Sequence, residues 1–144
     1  MDWFQVVQTI GISGSLLLSA LAFRGASRAT RVANLLTITA AHRDIWRRLD
    51  EDATLESVLD EKADPDLLTT GQRRFLTELI LHISASFEAA RLGALVSVDG
   101  LRRDVRDVFL LPAPRAVWSE LRHLQNREFR DFVDSLLPSG RDPQ

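Results

Sequence analysis

The chain has no cysteine, so disulfides and thiolate metal sites are excluded; the redox compartment stays open. Tyrosine is absent too, and Lys62 is the only lysine among 18 basic residues, which leaves 17 arginines. The formal net charge is −2, without the basic excess that a general nucleic-acid binder carries. Motifs for chemistry are missing as well: there is no GxGxxG, no P-loop and no GxSxG. His42, His82 and His123 are far apart in sequence and lack a spacing such as HxxxH. No metal site, cofactor or catalytic residue is therefore expected, and the chain is not read as an enzyme.

What is present begins at the N-terminus. Trp3 to Phe23, WFQVVQTIGISGSLLLSALAF, holds 21 consecutive uncharged residues. As a helix it would span roughly 31 Å, close to the roughly 30 Å hydrocarbon core of a bilayer. Three readings compete: a transmembrane helix, a removed export signal and a buried core helix. An export signal normally begins with a positive region, and here that region is Met1 and Asp2. Arg24, Arg28 and Arg31 follow directly and oppose translocation of what comes next. The expectation is a single-pass inner-membrane protein, N-terminus outside and C-terminal domain cytoplasmic.

Within that segment Gln5, Gln8, Ser15 and Ser19 fall near one stripe at helical spacing, and Gly11 and Gly14 form a small-residue patch. Polar groups in hydrocarbon seek partners, and small residues let helices approach closely. These six residues are the expected membrane-helix association site, with a homo-oligomer as the outcome. Arg24, Arg28 and Arg31 are expected at the lipid headgroups, each worth about 1 kcal/mol beside anionic lipid.

Charge is unevenly spread beyond the segment. Arg24 to Arg48 carries six arginines against Asp44, whereas Asp50 to Asp66 carries eight acids against Lys62. Such blocks suit a membrane surface, although most charge runs are simply solvated faces. From Arg24 to Leu49 neither Pro nor a turn cluster interrupts a helical pattern. Val32, Leu35, Ile38, Thr39, His42, Ile45, Trp46 and Leu49 form its apolar face. The membrane helix and this stretch are expected to be one continuous helix. His42, His82 and Trp46 are read as core residues.

Shorter helices follow. Asp52 or Thr54 opens the first, with Leu55, Val58 and Leu59 inward. Thr69 with Gln72 reads as a capping box for a helix of about Gly71 to Leu92, stopped by Gly93. Asp99 caps a helix that ends before Pro112, and Pro114 stands in the first turn of the next. Asn126 caps the last, which stops at Pro138. Asp104 and Asp107 are expected to form intrahelical ion pairs with Arg102, Arg103 and Arg106. Those three arginines are the candidate surface for a protein partner on the cytoplasmic side. The fold class is all-α: 1–23 a transmembrane helix, 24–50 a juxtamembrane helix, 51–138 a bundle of about five shorter helices, and 139–144 a disordered tail.

The stretches ANLLTITAAHRDIWRRL, LESVLDEKADP, RRFLTELILHISASFEAARLGAL and LRRDVRDVF, then Trp118 and EFRDFVDSLL, occur in an order that resembles small uncharacterised bacterial membrane proteins with one N-terminal transmembrane helix and a compact helical domain. The resemblance implies an inner-membrane, cytoplasm-facing helical protein and supplies no catalytic residues. The expected function is a non-enzymatic membrane-anchored interaction or regulatory module. The alternatives are a homo-oligomeric membrane effector or small channel with a Gln/Ser-lined stripe, and an exported helical binding domain with a cleaved signal.

Overall fold

A computed structural model describes the backbone of residues 3–93 and 98–138, and within these the side chains from Leu18 onward. The regular structure among the described residues is all helical, with no strand, and the helices pack as a bundle. The chain divides into two compact units, Met1–Leu36 and Thr37–Gln144.

Helix α1 spans Trp3–Glu51, 49 residues, so the expected continuity of the first two segments holds. In the first unit its described side chains are almost all exposed, including Leu18 at 69% and Phe23 at 75%. The Thr30 hydroxyl is satisfied inside the helix, donating to the carbonyl of Ala26 at 3.0 Å. Among the described residues no helix is long and apolar enough to cross a membrane. The side chains of the expected span up to Leu17 lie outside the described residues, as do the 139–144 tail and most of the Ala94 to Val98 connector.

The second unit holds the C-terminal part of α1 and five further helices: α2 (Ala53–Glu56), α3 (Thr70–Arg91), α4 (Val98–Leu110), α5 (Pro112–Leu121) and α6 (Arg127–Leu136). Asp52 is the N-cap of α2, accepting from the Thr54 amide at 2.9 Å. That choice leaves Thr54 inside the helix. A 3₁₀ turn over Ser57–Leu59 carries Val58 into the core. Thr69 and Gln72 form the reciprocal capping box at the start of α3. Gly93 ends that helix with φ +74°, a backbone angle that costs glycine little and other residues much. Asn126 caps α6 by accepting from the Phe129 amide at 2.8 Å.

One boundary differs from expectation. Helix α5 begins at Pro112, so Pro112 and Pro114 both occupy its first turn, where a missing N–H is harmless. Leu111 takes the extended backbone that a residue before proline prefers, and this separates α4 from α5.

The core is aromatic and aliphatic. Phe75, Phe109 and Phe129 are completely buried, with Leu76, Ile80, Val105, Val117 and Val133 around them. The Trp118 ring stands edge-on to Phe109 and to Phe129, at 5.1 and 5.5 Å between centroids. Arginine substitutes for lysine usefully at the rim: the guanidiniums of Arg48, Arg91 and Arg102 lie over Phe75, Phe87 and Phe132.

The apolar face read on the second half of α1 is narrower than expected. Ile45 and Leu49 are buried, but Val32, Thr39, His42 and Trp46 are exposed. Neighbouring helix positions point about 100° apart, so a narrow contact that buries Ile45 leaves Trp46 at its edge. Ile45 takes the core, which corrects the assignment of His42 and Trp46 to it.

Candidate functional site

The exposed Trp46 marks an apolar groove of the second unit. The groove holds about 180 Å³ between the C-terminal part of α1, the middle of α3 and α4. Ile45, Leu49, Leu79, Ile83, Leu101 and Val105 supply its apolar wall. Its polar groups are His42, His82, Ser86 and Asp104. A wider cleft of about 700 Å³ shares Trp46 and Leu49 and continues along Asp50, Glu56 and Asp60, open and more polar. We take the smaller groove as the site, because a binding pocket is mostly apolar with a few placed polar groups.

Helix geometry builds the polar edge. His42 and Trp46 are one turn apart on α1, and the Trp46 Nε1–H donates to His42 Nε2 at 2.8 Å. The other ring nitrogen, His42 Nδ1, lies 3.3 Å from His82 Nε2 on α3. The hydrogen-bond network assigns the tautomers. An indole nitrogen only donates, so His42 Nε2 must hold a lone pair and its Nδ1 the proton. That proton points at His82 Nε2, which therefore accepts. Burial lowers the pKa of His82 from its ordinary 6.5, and the His42 imidazole lowers it further. Both effects favour the neutral ring that the geometry requires.

Around the groove, Arg48 of α1 is salt-bridged to Glu78 of α3. Arg47 is held by Asp44 at 2.6 Å and Glu51 at 2.7 Å along the same helix. Asp104, the one carboxylate lining the groove, forms no ion pair among the described residues.

The arrangement limits the chemistry. Ser86, His82 and Asp104 share the groove, yet the Ser86 hydroxyl donates to the His82 carbonyl at 2.9 Å instead of to a ring nitrogen. That is not the geometry of an activated nucleophile. The two imidazoles come within reach of a common metal ion, but Trp46 holds His42 Nδ1 protonated, and a metal needs a bare nitrogen. Among the described residues no group of three His, Asp or Glu is placed to hold a metal.

The residues singled out from sequence are distributed elsewhere. Gln5, Gln8, Gly11, Gly14 and Ser15 lie among the side chains outside the described residues; Ser19 is exposed. Arg24, Arg28 and Arg31 are exposed and form no ion pair among the described residues. On α4, Arg102, Arg103 and Arg106 are exposed, but the expected pairing with Asp104 and Asp107 does not form. Arg102 instead approaches Asp99 at 3.9 Å, one turn earlier. On α3, Glu88 and Arg91 form a surface pair at 3.5 Å that is extended by Glu128, 2.9 Å from Arg91. Sequence reading missed the His42–His82 contact because its partners stand 40 residues apart. The i, i+4 spacing of His42 and Trp46 was the legible part of it.

The chain matches no protein-family model, no curated protein and no solved structure.

Proposed function

We propose that this protein is a membrane-anchored, non-enzymatic helical interaction module whose bundle faces the cytoplasm and whose first helix self-associates. One observation carries the reading: the uncharged stretch from Trp3 to Phe23 lies in one helix with the Arg24, Arg28 and Arg31 row that follows it. Leu18, Leu21 and Phe23, at the end of that stretch, are all exposed. Leu18 and Leu21 are one turn apart, and lipid or a second membrane helix would cover them. The three arginines recur at i, i+4 and i+7, one side of a helix, where headgroup phosphates would compensate them.

In this reading the bundle carries the interaction. Its apolar groove and the unpaired Arg103 and Arg106 are the two surfaces a partner protein could use. Membrane-bound protein should stay in the pellet through a carbonate wash, and Gly11→Leu/Gly14→Leu should lose crosslinked oligomer while remaining in the membrane. Release of the wild-type chain by carbonate would end the anchored reading. Unchanged crosslinking in the double variant would end the self-association part alone.

A further inference from the structure

Trp46, His42 and His82 make two consecutive hydrogen bonds, and together these admit a single protonation state. Trp46 can only donate, so His42 Nε2 must be bare. A His42 with bare Nε2 is neutral and carries its proton on Nδ1. That proton occupies the 3.3 Å gap to His82 Nε2, so this nitrogen must be bare as well. Both rings are therefore neutral. One added proton breaks the chain wherever it goes. On His82 it sets N–H against N–H across the gap. If His42 changes tautomer to relieve that clash, its Nε2–H meets the Trp46 N–H.

We propose that this chain is an acid-sensitive latch that holds Trp46 and the C-terminal turn of α1 over the apolar groove, and that protonation of the imidazole pair releases them.

The setting makes the latch effective. Only Ile45 and Leu49 of this part of α1 are buried, so the polar ties at the exposed edge add to a narrow apolar contact. Arg48 adds two further ties to α3, a salt bridge with Glu78 and the stacking of its guanidinium over Phe75. From α1, Asp44 is engaged by Arg47, and Asp50 stands beside Leu49 in the wider cleft. From α3, Glu78 lies one turn before His82 and is neutralised by Arg48. From α4, Asp104 shares the groove without an ion-pair partner among the described residues and would stabilise an imidazolium once formed. Leu101, Val105 and Val108 line the same groove as Trp46, so release of α1 from it would open an apolar wall. The inference does not depend on where the N-terminal segment resides.

The test uses the full chain in mild detergent, labelled with ¹⁵N, and follows the indole Nε1–H resonance of Trp46 from about pH 8 to about pH 5, the range of histidine titration. Loss of the resonance in Trp46→Phe assigns it. The expected result is a shift toward the free-indole position, in step with titration of the ring nitrogens of His42 and His82. The shift should be absent in His42→Leu and reduced in His82→Phe. Neither variant removes a core side chain, since His42 is exposed and His82 half-buried. A Trp46 resonance that stays fixed over this range overturns the latch, as does one that moves equally in both variants. His123→Asn should leave the shift intact, and its loss there would also overturn the proposal.

Discussion

Gln72 closes the capping box with Thr69 and, with its remaining amide, donates to the carbonyl of Thr54 at 2.8 Å. One side chain thus starts α3 and ties α2 to it, across 18 residues of sequence. Removing it should do more than remove a cap. Thr69→Ala alone should cost about 1 kcal/mol, the usual loss for a helix cap. Gln72→Ala should lose its return bond to Thr69 and leave the Thr54 carbonyl without this donor. Denaturant unfolding of both variants checks this: Gln72→Ala at least as destabilising as Thr69→Ala supports the bridge, and a negligible effect removes it.

The aromatic core gives the largest effect. Phe129 is fully buried, with Trp118 edge-on and Phe87 5.5 Å away between centroids. Phe129→Ala should destabilise by about 3–5 kcal/mol. A loss under about 1 kcal/mol, the range of an exposed site, would place this ring outside the core.

Two adjacent residues of α1 should respond to truncation by different amounts. Ile45 is buried, so Ile45→Ala should cost about 2–4 kcal/mol. Trp46 is 53% exposed and contributes one side-chain hydrogen bond, so Trp46→Ala should cost about 1 kcal/mol. Equal losses would mean that Trp46 is packed after all.

That pair also shows where sequence reading reached its limit. Caps and stops are local chemistry, so Thr69 with Gln72, Gly93 and Asn126 were all legible. Periodicity locates an apolar side of a helix but not its edges, and Trp46 lies at the edge. Pro112 looked like the end of one helix because a proline terminates the preceding element; that it also begins the next depends on the extended backbone of Leu111. The Asp104 and Asp107 pairs failed for another reason. Spacing of three or four permits an ion pair on an exposed helix without favouring it much over hydration. The groove was not legible at all, because it is formed by three helices distant in sequence.

Stability should fall on mild acidification. Burial and the nearby His42 ring hold the pKa of His82 below 6.5 in the folded chain. The unfolded chain therefore binds more protons in that range, and the contribution of a neutral His82 is present above 6.5 and lost as pH falls through the folded value. The urea midpoint of the wild type should be lower at about pH 5.5 than at about pH 7.5, and His82→Phe should flatten the difference. Asp52 acts far lower. Its carboxylate accepts from the Thr54 hydroxyl and amide, which lowers its pKa below 3.8, so its effect is lost only in stronger acid. A midpoint that rises on acidification would contradict the assignment of His82.

The central claim is an anchored bundle facing the cytoplasm, and the absence of cysteine allows a direct measurement. A single Ser139→Cys gives the chain one thiol near its C-terminus. Intact and lysed cells are treated with a membrane-impermeant maleimide, and the protein is recovered from the membrane pellet. Labelling only after lysis is the predicted result. Labelling in intact cells would contradict the orientation argued from Arg24, Arg28 and Arg31, and recovery outside the pellet would contradict the anchor.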